Sequence, residues 1–208
     1  MQTKKVTFIR IPKNASTSIY DFFGCTNTVI DYALMEIFTS KEDVYKKFFA
    51  PSHCRINTAV EYLGDEILSL PTLAVIRNPY DRMVSMYHFS MRMDLGKIYD
   101  KTIDNFLQFC ELMEEQAQDK TFFPAWTQKS YIEIDGKLVD KLRFENIDKD
   151  FESFLEKYNL TNFYKTHKRI LERKNSTNHD DYKKYLCPSS KSIIERIWGE
   201  DFYIKTNI

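Results

Sequence analysis

The sequence predicts an α/β fold with three layers around a central parallel sheet. Two stretches carry this prediction: VTFIRI at residues 6–11 and TLAVIR at residues 72–77 are short apolar strands. Each leads into a polar or proline-marked turn and then into a helical pattern of apolar residues. Strand, turn and helix repeated in this way are typical of βα units, which build parallel sheets.

Local signals mark the helix that follows each strand. An apolar stripe at residues 19–23 predicts the first helix, which starts near Ser16, and Gly24 is its stop signal. After the second strand, Asn78 can cap a helix and Pro79 suits its first position. Because ligands of such sheets bind beyond the carboxyl ends of the strands, both turns are expected at the same edge.

The rest of the chain continues with strand, helix and loop signals. Residues 130–144 predict a hairpin around Asp135-Gly136 followed by a strand, and residues 146–160 predict a helix. Residues 172–186 form a polar loop, and residues 189–204 predict a closing helix capped by serines. No repeat or linker interrupts the chain, so residues 1–208 are predicted to form a single domain.

Composition limits the classes of partner. Thirty basic and thirty acidic side chains cancel, so no overall field attracts nucleic acid or an anionic membrane. No apolar run approaches the roughly 20 residues of a membrane span, and no signal peptide is visible. The four cysteines lack metal-ligand spacing, which predicts free thiols and no metal site. We therefore expect a cytoplasmic protein.

The first turn, PKNASTS, has the features of an anion site. Backbone N–H groups at a helix start attract anions, and Ser16, Thr17 and Ser18 add hydroxyl donors. Lys13 adds a positive charge, and the small Ala15 lets a ligand approach the backbone. A triphosphate-binding loop needs glycines with lysine after them, whereas here lysine comes first and glycine is absent. The alternative is an ordinary serine-capped helix.

The second turn, in VIRNPYDRMVSMY, adds a second positive site. Arg77 ends a buried strand, where a permanent charge needs a partner. Ser85 follows about two helical turns later and can face the same anion. Arg82 can join them, or it can lie on a solvated helix face. Two anion sites at one sheet edge predict a ligand with two separated anionic groups.

Taken together, IPKNASTSI and IRNPYDRMVSMY resemble the two cofactor-binding motifs of sulfotransferases that use 3′-phosphoadenylyl sulfate (PAPS). The similarity is strongest to the membrane-type carbohydrate sulfotransferases, in particular the uronosyl 2-O-sulfotransferase branch, whose first loop reads PKxAST. The segment KLVDKLRFENIDKDFESF and the C-terminal blocks DYKKYL and IIERIWGEDF extend it over most of the chain. The resemblance implies the P-loop-like nucleotide-binding fold of that family.

By this resemblance, PAPS is the co-substrate and no metal is required. The first turn would hold the 5′-phosphosulfate, and the second turn the 3′-phosphate. Lys174, in the polar loop, would reach the 3′-phosphate, with a solvated loop as the alternative. The residues implied in donor binding are Lys13, Asn14, Ala15, Ser16, Thr17, Ser18, Arg77, Ser85 and Lys174.

The chemistry needs a group at the leaving oxygen and a base. Lys13 would stabilise charge that grows on the 5′-phosphate. His53 lies between the two motifs, as the catalytic histidine of the 2-O-sulfotransferase branch does, and is our first choice of base. We expect His88 to pack on its helix and His167 and His179 to be solvated or bonded in loops. A carboxylate base remains an alternative.

The acceptor is expected to be a hydroxyl, most simply that of a carbohydrate. Trp126 and Gln128 lie where relatives approach the acceptor, although a core tryptophan is the commoner outcome. Golgi members of the family carry a membrane anchor and often disulfides. We expect neither here, so another glycan, a lipid or a small alcohol also fits as the acceptor. Two other functions stay open: a nucleotide or small-molecule kinase, and a non-catalytic nucleotide- or glycan-binding module.

Overall fold

The computed structural model describes residues 5–24, 53–93, 103–119, 122–135, 139–166, 171–172 and 180–205. Three strands lie in these segments: β1 (Thr7–Ile9), β2 (Thr72–Ile76) and β3 (Asp140–Arg143). The α-helices are α1 (Ser16–Phe23), α2 (Ile56–Leu63), α3 (Pro79–Arg92), α4 (Phe106–Gln116), α5 (Gln128–Ile132), α6 (Ile147–Lys157), α7 (Thr161–Thr166) and α8 (Pro188–Trp198). Short 3₁₀ turns cover Asp65–Ser69, Phe123–Ala125, Phe144–Asn146, Tyr182–Tyr185 and Gly199–Tyr203.

The three strands form one parallel sheet in the order β1-β2-β3. Thr7 pairs with Thr72, and Ile76, the last residue of β2, pairs with Arg143. The predicted α/β class with a parallel sheet is therefore confirmed. Because the strands are parallel, their carboxyl ends lie side by side at one edge, where ligands bind in such sheets.

Of the hairpin and strand predicted at residues 130–144, the strand that leads into Phe144 is confirmed as β3, and the hairpin is wrong. Ser130 through Ile132 belong to α5 instead of a strand, and β3 pairs with β2 in parallel. The alternation in SYIEI is too short to fix a strand, because local propensity is weak against tertiary packing. Residues 136–138, which include the predicted turn glycine, lie outside the described residues.

The chain divides into two compact units. The sheet unit comprises residues Met1–Ile76, Lys129–Asn175 and Lys205–Ile208, and the helical unit comprises Arg77–Gln128 and Ser176–Ile204. The prediction of a single domain over residues 1–208 stays a prediction. In the part of the chain that the structure describes, no helix has the length and apolar character needed to cross a membrane.

The core of the sheet unit packs α1 and α6 against one face of the sheet. The buried residues of this core are Val6, Phe8, Ile19, Phe22, Phe23, Leu73, Val75, Leu142, Ile147, Phe151, Phe154, Leu155 and Leu160. Phe22 and Phe151 meet edge to face with ring centroids 4.7 Å apart, a favourable aromatic geometry. The other face of β1 and β2 is also buried, as expected for a parallel sheet.

The core of the helical unit joins α3, α4 and α8. Its buried residues are Met83, Val84, Met86, Ile103, Phe106, Phe109, Cys110, Leu112, Met113, Ala125, Ile193, Ile194 and Trp198. Trp198 is fully buried, and its indole N–H donates to the carbonyl of Ala125 at 2.8 Å. This bond satisfies the one polar atom of the largest core side chain.

The helix ends follow the predicted signals in most places. Gly24 has φ 78° and its N–H bonds the carbonyl of Tyr20, so it ends α1 as predicted. The Asn78 side chain accepts the N–H of Tyr80, and Pro79 begins α3. The helix α8 differs, because Cys187 instead of a serine caps it in a reciprocal arrangement with Ser190. These bonds lower the pKa of the Cys187 thiol.

Candidate donor-binding site

The first turn connects β1 to α1 and lies in the sheet unit. The N-cap of α1 is Ala15, whose methyl group cannot accept a hydrogen bond. The serine cap of the alternative interpretation is therefore wrong, whereas the role of the turn stays a prediction. Amides at the start of any α-helix have no carbonyl one turn before them to bond. The start of α1 thus offers backbone N–H groups of the kind that bind anions.

The backbone of this turn is left-handed at two residues that have side chains. Lys13 has φ 67° and Ala15 has φ 54° with ψ 21°. Each such residue costs about 1–2 kcal/mol relative to the right-handed region. Left-handed Ala15 is followed directly by right-handed, helical Ser16. This left-right alternation is the backbone pattern of nests, which bind anions in other proteins, and here it occurs without glycine.

Asn14 fastens the turn to the neighbouring strand. Its side chain is 1% exposed, and its Nδ2 donates to the carbonyl of Val75 at 2.8 Å. The Ser16 hydroxyl donates to the carbonyl of Ile11 at 3.3 Å, across the turn. These bonds hold the turn at the end of β2, because Val75 lies two residues before Arg77. Lys13, Ala15 and Thr17 are half-buried, and Ser18 is buried.

His53 lies at the carboxyl end of β1. Its Nδ1 is 2.6 Å from the carbonyl oxygen of Arg10, the residue that follows the strand. Because a carbonyl only accepts hydrogen bonds, Nδ1 carries the proton and the lone pair of the neutral ring is on Nε2. The backbone thus fixes the tautomer that a general base needs. His53 and the first turn lie in the same unit and near the same strand end.

Arg77 is the first residue of the helical unit and directly follows β2. Its side chain is 7% exposed, and its Nε donates to Asp81 Oδ2 at 2.7 Å, one helical turn along α3. The partner that a buried arginine requires is therefore Asp81. The backbone N–H and carbonyl of Arg77 both bond the side-chain amide of Gln128, at 2.8 and 2.9 Å.

Ser85 and Arg82 both lie on α3, in different settings. Ser85 is 3% exposed, on the buried side of the helix. Arg82 is fully buried, so the alternative of a solvated helix face is wrong. Its guanidinium lies 4.2 Å over the ring of Trp198 and donates to the carbonyls of Trp126 and Pro124. These contacts make Arg82 part of the packing of the helical unit.

The last residue of β3 is an arginine, Arg143. Asp150, which is 3% exposed, accepts hydrogen bonds from the N–H, Nε and Nη2 of Arg143 and from Nδ2 of Asn146. The bonds from Arg143 hold the pKa of Asp150 below its usual range. This carboxylate closes the connection from β3 to α6, so we interpret Arg143 as a structural residue.

Of the remaining predicted residues, the structure describes His88 and Trp126. His88 packs as predicted, because Nε2 lies 2.9 Å from the hydroxyl of Tyr185 and its ring meets Tyr87 edge to face. Lys174, His167 and His179 lie outside the described residues, so their predicted roles stay predictions. Trp126 is half-buried.

Two residues near Arg77 make contacts that the sequence does not predict. Gln128 is predicted to lie near the acceptor, yet its side chain bonds the backbone of Arg77 across 51 residues of sequence. Asp201, which is 6% exposed, accepts the backbone N–H of Gln128 at 2.8 Å. A buried glutamine bonded to a strand exit leaves no periodic pattern in the sequence, so only the fold reveals it.

Comparison with known proteins agrees with this geometry. No curated protein and no solved structure is significantly similar to the chain. The model of the sulfotransferase family matches residues 1–204, which is nearly the whole sequence. Because this match covers far more than half of the chain, the chain belongs to the sulfotransferase family.

Proposed function

We propose that this protein transfers a sulfuryl group from PAPS to a hydroxyl of a carbohydrate. The single observation that carries the proposal is the first turn, in which a lysine and an alanine adopt left-handed backbone before a helix without a side-chain cap. Strained backbone of this kind clusters at functional sites. Family membership makes sulfuryl transfer the reaction class.

The first turn suits the phosphosulfate end of the donor. The N–H groups at the start of α1 would bind the non-bridging oxygens, together with the hydroxyls of Thr17 and Ser18. The Ser16 hydroxyl would join them by exchanging its long bond to the Ile11 carbonyl for one to the ligand. Lys13 would lie at the oxygen that joins phosphorus to sulfur. When the S–O bond breaks, negative charge grows on the 5′-phosphate, and a lysine there stabilises it more in the transition state than in the ground state. Asn14 would act by holding the turn on β2.

Arg77 and Ser85 suit the 3′-phosphate, which carries close to two negative charges. Asp81 holds the Nε side of the Arg77 guanidinium. A planar guanidinium whose Nε is held has a set orientation, and a guanidinium suits the oxygens of a phosphate dianion. Ser85 would add a hydroxyl from the same helix, and Lys174 would add a second cation.

His53 would take the proton of the acceptor. The acceptor oxygen attacks sulfur as the bond between sulfur and the 5′-phosphate oxygen breaks, and the hydroxyl proton passes to Nε2 of His53. The products are the sulfated acceptor and 3′-phosphoadenosine 5′-phosphate. The bond from Nδ1 to the Arg10 carbonyl supports this role, because it stabilises the ring when Nε2 becomes protonated.

The carbohydrate acceptor rests on the resemblance of the two motifs to the uronosyl 2-O-sulfotransferase branch. PKNAST at residues 12–17 follows the PKxAST pattern of that branch. A base that precedes the second motif, as His53 does, is a further common feature. We therefore propose a sugar hydroxyl as the acceptor group.

Thermal stability with nucleotides tests the donor. At a concentration of 100 Kd a ligand stabilises by about 2.7 kcal/mol, which raises the melting temperature by about 5–10 °C for a chain of this size. We expect 3′-phosphoadenosine 5′-phosphate to produce this shift, and AMP and ATP with Mg²⁺ to produce much smaller ones. Equal stabilisation by ATP with Mg²⁺ would favour the kinase alternative.

A sulfate-transfer assay tests the reaction itself. Labelled PAPS is supplied with a set of polysaccharides, oligosaccharides and simple alcohols, and transfer of label is measured. His53→Ala should lower kcat by at least about 100-fold while the Kd for 3′-phosphoadenosine 5′-phosphate changes less than about twofold. Full activity of this variant would exclude His53 as the base. Nucleotide binding without transfer to any acceptor would favour the non-catalytic module.

A further inference from the structure

The side-chain amide of Gln128 makes the two backbone hydrogen bonds to Arg77 that a neighbouring β-strand would otherwise make. Its Oε1 accepts the backbone N–H of Arg77 at 2.8 Å, and its Nε2 donates to the backbone carbonyl of Arg77 at 2.9 Å. A residue inside a sheet has both groups bonded by the adjacent strand, and Arg77 comes directly after the last residue of β2. Gln128 is 1% exposed, so this paired contact is shielded from water.

Asp201 holds Gln128 in turn. The backbone N–H of Gln128 donates to Asp201 Oδ2 at 2.8 Å, and Arg82 Nη1 lies 3.8 Å from the same oxygen. Asp201 and Arg82 are both buried, and the Arg82 guanidinium is stacked on Trp198. Buried polar groups bonded in this way rigidify their surroundings, because breaking any one bond leaves an unsatisfied group.

Arg77 is thus fixed at two levels. Gln128 bonds its backbone and Asp81 bonds its side chain. All of these residues belong to the helical unit. For an arginine that only needed burial, the ion pair with Asp81 would suffice. The two additional bonds from Gln128 fix the backbone of Arg77 and therefore the point from which its side chain extends. Such fixation matters when the guanidinium must contact a ligand at a defined position.

We propose that Gln128 is a positioning residue for Arg77 and thereby sets the preference of the enzyme for a nucleotide with a 3′-phosphate. This inference rests on the proposed function, in which Arg77 binds that phosphate. Gln128 acts through the backbone and does not touch the ligand. Its amide is specific for the task, because asparagine is one methylene shorter and cannot reach both groups, and methionine has neither a donor nor a strong acceptor.

The test compares two nucleotides that differ only in the 3′-phosphate. Dissociation constants for 3′-phosphoadenosine 5′-phosphate and for AMP are measured by calorimetry on the full chain and on Gln128→Asn and Gln128→Met. We expect the ratio of the two constants to move toward unity by about tenfold in both variants, while the constant for AMP changes less than about twofold. Melting curves verify that each variant is folded at the temperature of the titration.

A matched control separates positioning from general loss of stability. Asn105→Ala removes the cap of α4 in the same unit, where the Asn105 side chain accepts the N–H of Gln108. Loss of this cap should lower the free energy of unfolding of the protein and leave its nucleotide preference unchanged. Equal weakening of both nucleotides in the Gln128 variants, or no change, would overturn the positioning role.

The wild type and Arg77→Ala distinguish the two proposals. If the wild type prefers the 3′-phosphate and Arg77→Ala abolishes the preference, the donor assignment holds and the Gln128 result is decided on its own. If the wild type binds AMP as tightly as 3′-phosphoadenosine 5′-phosphate, the donor assignment fails, and the role of Gln128 in nucleotide preference fails with it.

Discussion

The turn after β1 and the turn after β2 leave adjacent parallel strands but are built by different rules. At the first turn, Lys13 and Ala15 take left-handed backbone, and the helix starts without a side-chain cap. At the second, Asn78 caps the helix and Pro79 supplies its first residue in the usual way. Only at the second turn, therefore, does the helix begin with the capping residue and the proline that mark a helix start in a sequence.

In the proposed function, this difference corresponds to two ways of binding an anion. The first turn offers backbone N–H groups, which have fixed directions and suit an anion whose charge changes during reaction. At the second turn the Gln128 side chain bonds the backbone of Arg77, and the proposed anion-binding group is the Arg77 side chain. A side-chain cation suits an anion that only has to be held. We therefore expect changes at the first turn to affect turnover, and changes at the second to affect nucleotide preference.

The largest expected effect is on turnover. Lys13→Ala should lower kcat by about 10²–10³-fold, because one group that stabilises developing charge contributes about 3–4 kcal/mol to the barrier. The melting temperature should change little, since Lys13 is half-buried. Lys191→Ala, on the exposed side of α8, is the matched control and should retain full activity. A kcat within threefold of wild type would contradict the role of Lys13.

The next effect is on folding stability. Asn14→Ala removes the hydrogen bond to the Val75 carbonyl and leaves a buried acceptor unsatisfied, which should lower the free energy of unfolding by about 1–3 kcal/mol. Urea denaturation measures this change. Asn57→Ala, at an exposed position of α2, should change stability by less than about 0.5 kcal/mol. Equal effects in the two variants would show that the bond to β2 does not hold the turn.

A smaller effect is expected at the second turn. Asn78→Ala removes the side chain that accepts the Tyr80 N–H, and loss of such a cap costs about 1 kcal/mol. The same denaturation experiment measures it. The Kd for AMP should not change, because the cap does not belong to the proposed phosphosulfate site. A large loss of AMP binding would show that the two turns are less distinct than proposed.

The sequence predicted those parts of the fold that depend on local signals. The two βα units, the stop at Gly24 and the cap at Asn78 were all read correctly, because each depends on residues within one helical turn. Contacts between residues that are far apart in the sequence could not be predicted from it. Gln128 reaches Arg77 across 51 residues, and nothing near Gln128 indicates its partner.

The candidate site divides in the same way. The position of Arg77 after a buried strand was enough to predict that it needs a partner, which is Asp81. Anion binding at the two turns stays a prediction. The left-handed backbone at Lys13 and Ala15 was not predicted, because neither is glycine or asparagine. Tertiary contacts such as the bond from Asn14 to β2 hold such a conformation against its local preference.

The smallest expected effect gives the most direct test of this difference between the turns. Ala15→Gly should stabilise the protein by about 0.5–1 kcal/mol, because glycine takes φ 54° without the steric cost that alanine has there. In the interior of an α-helix, replacing alanine by glycine lowers the free energy of unfolding by a similar amount. Ala59→Gly, inside α2, is therefore the matched control of opposite sign. Thermal and urea denaturation of both variants measure the two changes. If Ala15→Gly destabilises the protein as Ala59→Gly does, residue 15 gains nothing from a left-handed conformation, and strain at the first turn no longer supports a binding site there.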